Sequence, residues 1–144
     1  MPVPTRILII EDEAILAANL KSFLSRIAAD VRIAADAHAT MDTLRDFIPD
    51  IVILDFDLPN IHGIEIYAAI IKPRAPGARG ILISGHLSER IAREAYEEGI
   101  RHILCKPFSF AELQEKLDSI RQEFNLSLPA SVPAPQRFQH IRQG

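Results

Sequence analysis

The acid pair Glu11-Asp12, then Asp55, Ser84 and Lys106, each come directly after the start or body of a short apolar run: Ile7 to Ile10, Ile51 to Leu54, Ile81 to Ile83 and Ile103 to Cys105. Carboxylates are hard oxygen ligands of the kind Mg²⁺ takes in near-octahedral geometry while keeping several waters. A lysine ammonium is a fixed positive charge, and a serine hydroxyl can donate to a phosphoryl oxygen. A carboxylate accepts a phosphoryl group only where the repulsion between two anions is cancelled. The set therefore reads as a nucleophile (Asp55), metal ligands (Glu11 and Asp12), a cation (Lys106) and a hydroxyl donor (Ser84). Singly, each residue has a plainer role: a charge at a helix N-terminus, a turn former, a solvated lysine. Four separate runs each close on such a residue, and that joint placement points to a site.

The elements that would bring them together are legible in the pattern. Short segments rich in Ile, Val and Leu alternate with longer segments of helical period, which is the rhythm of βα units around a parallel sheet. Strands are predicted at Arg6 to Glu11, Val31 to Ala35, Ile51 to Asp55, Gly80 to Ser84 and His102 to Cys105, and helices at Glu13 to Ile27, Ala39 to Phe47, Gly63 to Ile71, Ser88 to Glu98 and Ser109 to Phe124. The first, third and fourth strands are nearly all apolar and should be covered on both faces, whereas Arg32 marks the second as an edge. A doubly wound α/β fold with strand order 2-1-3-4-5 follows, and ligands of such sheets bind in the crevice beyond the carboxyl ends of the strands. In the last helix Phe110, Leu113, Leu117, Ile120 and Phe124 form an apolar stripe, and Ser109 with Glu112 forms a capping box.

At 144 residues and 48% apolar, the chain has the size and composition of one domain that buries a core unaided. The single Cys105 excludes an intramolecular disulfide and fits a reducing, cytoplasmic setting. No stretch reaches the roughly 20 apolar residues that span a bilayer, so no membrane partner is expected. A net charge of −3 without a basic stripe argues against direct nucleic-acid binding and for a protein partner. The domain is placed at residues 1–125. The stretch 126–144, with Pro129, Pro133 and Pro135 and no acidic residue, reads as a flexible tail or a truncated linker, or as a docking segment through Arg137, Phe138, His140, Ile141 and Arg142.

From about Arg6 to Phe124 the chain resembles the receiver domain of two-component response regulators. The resemblance rests on Ile-Leu-Ile-Ile-Glu-Asp-Glu, on Asp55 in Ile-Leu-Asp-Phe-Asp-Leu-Pro with Gly63 following, on Ser84 before Gly85, and on Lys106-Pro107-Phe108. It implies that Asp55 accepts a phosphoryl group from a sensor histidine kinase or a histidine phosphotransfer protein. It implies Mg²⁺ held by Asp12, Asp55 and the backbone carbonyl of Asp57, with Glu11 acting through a bound water. Lys106 would pair with the acceptor carboxylate or a phosphoryl oxygen, oriented by a cis Lys106-Pro107 bond, and Ser84 would draw the following loop toward the phosphoryl group. The change of shape would appear on the fourth helix, fifth strand and fifth helix, for a downstream protein or an appended effector domain. Such a domain is a signalling protein, not an enzyme, apart from its own phosphorylation and slow dephosphorylation.

Several positions depart from the family. Ile103 stands where a Tyr or Phe is usual, so output should rely more on the loop Gly85 to Leu87 than on a ring flip. Asp57 and His86 border the expected phosphate and should set its lifetime. Arg101 and His102 replace an acidic pair that many DNA-binding members use to dimerise, which argues against that mode here. Asp55-Phe-Asp57 is also similar to the start of haloacid-dehalogenase-type phosphatases, but their metal-holding acids come late, where this chain has only Glu112, Glu115, Asp118 and Glu123. A third reading is a receiver-like adaptor independent of phosphorylation. His38, His62, His86, His102 and His140 lack metal-ligand spacing, Cys105 reads as a small buried hydrophobe, and Tyr96 and Phe108 read as packing residues.

Overall fold

The computed structural model describes residues 5–126, so the readings made for the tail lie outside the described residues. Five strands, β1 (Arg6–Ile10), β2 (Asp30–Ala34), β3 (Ile51–Asp55), β4 (Arg79–Ser84) and β5 (His102–Cys105), form one sheet in the order β2-β1-β3-β4-β5. Every pairing is parallel, with Ile10 beside Ala34 and Leu54, Asp55 beside Ile83, and Ser84 beside Cys105. This is the expected doubly wound order.

Side chains alternate across the strands and so feed two cores. Ile7, Ile9, Ile51, Ile53, Ile81 and Ile83 pack with Leu20 and Leu24 of α1 (Ala14–Leu24) and with Leu113, Leu117 and Ile120 of α5 (Phe110–Leu126). Leu8, Ile10, Val52, Leu54 and Leu82 pack on the other face with α2 (Ala37–Thr43), α3 (63–74) and α4 (Glu89–Glu97). The strand residues among these are at most 1% exposed, which is why β1, β3 and β4 read as unbroken apolar runs.

Helix boundaries differ from expectation where a cap decides them. The Asp36 carboxylate accepts from the Ala39 N–H at 2.8 Å, so α2 starts before Ala39 and ends at Thr43. Ser88 caps α4 in the same way at 3.2 Å, and Ser109 and Glu112 form the reciprocal box at 3.0 and 2.8 Å. The third helix runs past Ile71. Gly63–Ile66 is α-helical, Tyr67–Ile71 is a π turn in which the Lys72 N–H reaches the Tyr67 carbonyl, and Lys72–Arg74 closes the helix; we call the whole α3. Pro73 cannot continue a regular helix, because it lacks an N–H and its ring collides with the carbonyl four residues back; the wider turn precedes it directly.

Three burial expectations fail, each at a margin. Cys105 is exposed, because β5 is an edge strand. Phe110 sits in the first turn of α5, 41% exposed, and stacks on Phe23 with ring centroids 4.5 Å apart instead of entering the core. Tyr96 is 62% exposed beneath the Arg101 guanidinium, 4.3 Å from its ring centroid. At the opposite edge Arg32 lies 4.6 Å over the Phe47 ring and pairs with Asp30 and Asp46.

Candidate phosphoryl and metal site

The crevice is built by register. Period-two alternation carries Glu11 on from Ile7 and Ile9, and Asp55 on from Ile51 and Ile53, toward the same face of the sheet. Glu11 is 2% and Asp55 3% exposed, while Asp12 is exposed. Carboxylate oxygens of Glu11, Asp12 and Asp55 all lie within 4.8 Å of one another. Lys106, one residue beyond β5, reaches across with Nζ 3.1 Å from Asp55 Oδ2 and 3.9 Å from Glu11 Oε1. The Lys106-Pro107 bond is cis.

Neighbouring backbone holds these carboxylates in place. The Asp57 N–H donates to Asp55 Oδ1 at 3.0 Å, and the Glu13 N–H donates to Glu11 Oε2 at 3.1 Å, where it opens α1. Gly63, which begins α3, donates to the Phe56 carbonyl at 3.1 Å and lies so close to β3 that a Cβ there would overlap the Asp55 carbonyl oxygen. Only glycine allows that approach.

Electrostatics favour a cation. Burial, and after it the charge of Asp55, pushes Glu11 up from 4.5 to about 7, against the opposing pull of the Glu13 N–H and Lys106. Burial works against the Lys106 ammonium as well, but the hydrogen bond and charge of Asp55, with Glu11 and Glu13, outweigh it and hold its pKa above the ordinary lysine value. Glu11 Oε1 is buried without a hydrogen-bond partner. Three crowded carboxylates facing one ammonium, with an orphaned buried oxygen, form a donor set that fits a hard divalent cation.

Of the residues singled out from sequence, the fold brings Glu11, Asp12, Asp55 and Lys106 into one cluster. Ser84 ends β4 beside them, fully buried, with its carbonyl accepting from the Lys106 N–H at 2.9 Å and its Oγ accepting from the His86 N–H at 3.1 Å. Asp57 is exposed and its Oδ2 accepts from the Gly85 N–H at 3.4 Å. The His86 ring is exposed, and Ile103 is partly buried against the core shared by α2, α3 and α4. His62, set aside in the sequence for want of metal-ligand spacing, lies closer to the site than its pattern shows. It stacks on Phe56, centroids 4.7 Å apart, with Nδ1 buried and without a hydrogen-bond partner. Its place directly before Gly63 was the available hint. The late acids of the phosphatase reading stay outside the cluster: Glu112 caps α5, and Glu123 pairs with Arg79 and His102.

The profile of the response regulator receiver domain matches residues 7–118. The chain therefore belongs to that family, the receivers of two-component systems. It is 32% identical over 126 residues to the transcriptional regulatory protein CutR of Streptomyces coelicolor, covering 86% of this chain and 57% of CutR. It is 30% identical to the luminescence regulatory protein LuxO of Vibrio campbellii, over 90% of this chain and 29% of LuxO. The chain thus spans little more than half, or less, of these relatives. The chemotaxis protein CheY of Thermotoga maritima is 27% identical over 80% of this chain and 96% of its own length. Among solved structures, the CheY-like receiver from Methanospirillum hungatei superposes with a TM-score of 0.78 at 24% identity, covering 85% of this chain and 98% of that one. No helix among the described residues is long and apolar enough to cross a membrane.

Proposed function

We propose that Asp55 is the phospho-acceptor of this receiver. An Asp55 carboxylate oxygen attacks the phosphorus of a phosphohistidine on a sensor kinase or histidine phosphotransfer protein; the N–P bond breaks and its electron pair leaves with the imidazole. The observation that carries the reading is the Lys106 ammonium 3.1 Å from Asp55 inside a cluster of three carboxylates, one of whose buried oxygens has no hydrogen-bond partner. Mg²⁺ would be held by Asp12, Asp55 and the Asp57 carbonyl, with Glu11 acting through a water, and when bound it neutralises charge on the transferring group. Lys106 screens the approach of one anion to another and then holds a phosphoryl oxygen. Ser84 offers its hydroxyl once it turns from the His86 N–H, and the loop 85–87 moves with it.

That movement alters α4, the neighbouring β5 and α5, the face we assign to a downstream protein or an effector domain. Ile103 lies beneath that face but brings no aromatic ring to it, so the loop carries the output. Asp57 and His86 flank the transferred group and set its lifetime. We assign the phosphorylated domain, residues 1–125, to a cytoplasmic signalling protein; the domain itself contacts neither nucleic acid nor membrane.

Incubation with Mg²⁺ and acetyl phosphate, read by intact mass, tests the assignment: the wild type gains one phosphoryl group and Asp55→Asn gains none. No gain in the wild type would favour an adaptor independent of phosphorylation. Sustained turnover of generic phosphate esters would favour a phosphatase.

A further inference from the structure

The loop joining β4 to α4 is tied back to the crevice by a carboxylate. A trans peptide points its carbonyl and its N–H in opposite directions. The Ser84 carbonyl faces β5, where it accepts from the Lys106 N–H at 2.9 Å, so the Gly85 N–H of the same peptide faces the extension of β3. There it meets Asp57 Oδ2 at 3.4 Å. Asp57 is itself held to the acceptor, since its own N–H donates to Asp55 Oδ1 at 3.0 Å. One residue therefore touches Asp55 through its backbone and the output loop through its side chain.

A phosphoryl group on Asp55 would put about two negative charges, in place of the carboxylate's one, and three acceptor oxygens next to that N–H. One N–H cannot serve the Asp57 carboxylate and a phosphoryl oxygen together, and the two anions repel. Asp57 is exposed and can turn to solvent, and Gly85 has open space where a side chain would stand, so release meets no steric barrier. The other tie of this loop, from the His86 N–H to Ser84 Oγ at 3.1 Å, is lost as Ser84 turns.

We propose that the Asp57 carboxylate is an internal competitor for the phosphoryl group: it holds the Gly85 N–H, and with it the β4–α4 loop, until phosphorylation displaces it. The proposal rests on the reading of Asp55 as acceptor. Asp57 is on this account a positioning residue. It makes the unphosphorylated loop more ordered and the phosphorylated state harder to reach than either would be with a neutral side chain at that position.

The test has two arms on the whole chain. In the unphosphorylated protein, amide exchange at Gly85 should become about tenfold faster in Asp57→Ala, the loss of one charge-assisted hydrogen bond, and change less in Asp57→Asn, whose amide oxygen still accepts. With Mg²⁺ and beryllofluoride, affinity should rise in the order wild type, Asp57→Asn, Asp57→Ala. Gly85 exchange that is the same in all three proteins overturns the proposal. So does an equal gain in affinity for the two variants, which would leave charge repulsion as the whole effect. If exchange responds but none of the three binds beryllofluoride, the acceptor reading of Asp55 fails and the competition fails with it, while the resting contact stands.

Discussion

At the N-terminal end of the sheet Asp50 gives its hydrogen-bonding groups to its neighbours: its side chain accepts from the Arg6 N–H at 2.8 Å, its N–H donates to the Arg6 carbonyl at 2.8 Å, and its carbonyl accepts from the Arg79 N–H at 2.9 Å. At the C-terminal end Glu11 is more deeply buried, yet one of its oxygens has no hydrogen-bond partner and its neighbours are two further carboxylates. Both are acids beside the same central strands. One end is saturated and joins strands together; the other holds uncompensated charge that only a ligand or a proton relieves. The contrast is the physical ground for the site proposed above, because crowded buried anions cost the fold stability that a bound cation would return.

The largest expected effect comes from removing the one ammonium at the crowded end. Lys106→Ala should slow labelling by acetyl phosphate by about 100- to 1,000-fold, the usual range for losing one preorganised charge donor. An unchanged labelling rate would show that the lysine is structural. Next is Gly63→Ala, where the new methyl must push against the Asp55 carbonyl. It should lower unfolding free energy by about 2–3 kcal/mol, measured by urea melts, and displace the acceptor.

Glu11 gives a pH signature on the order of 3 kcal/mol. Its carboxyl is pushed up from 4.5 to about 7, so between those values the folded state binds more protons than the unfolded chain and stability falls as pH rises. Below pH 4.5 this penalty is absent; above about pH 7 it is complete. Urea melts of metal-free protein across that window should show the fall in the wild type and a flatter profile in Glu11→Gln. Divalent cation should lessen it. The smallest effect belongs to the saturated end: Asp50→Ala should cost about 1 kcal/mol and leave labelling intact. Impaired labelling there would erase the distinction between the two ends.

Most of this was legible before any coordinates, because a buried parallel strand needs apolar residues on both faces and leaves a plain signature. Ile7 to Ile10 and Ile51 to Leu54 carry it, and the polar residue that ends each run necessarily falls on the crevice. What sequence could not separate was which member of the acid pair is buried. Glu11 and Asp12 look alike in a string; register places the first over α1 and α5 and leaves the second in solvent. Phe110, Tyr96 and Cys105 misled because apolar or aromatic character says nothing about position at a helix start, a helix end or a sheet edge. The π turn was missed because its cause, Pro73, lies beyond the point where the helix was expected to stop. The bond between Asp57 and Gly85 joins two loops 28 positions apart, and no local pattern reports such a contact.

The guanidinium of Arg32 over Phe47 has a colloidal consequence. An unpaired outer strand offers its amides and carbonyls to any similar strand from another molecule. Here a charged side chain pinned by an aromatic ring and two acids stands beside that margin, so a second copy arriving to extend the sheet would bring its own Arg32 against like charge. Salt weakens the ionic part of this barrier but leaves the stacked plane in place. Replacing Arg32 by an aliphatic residue would turn the margin into an adhesive surface, with turbidity on concentration as the visible result.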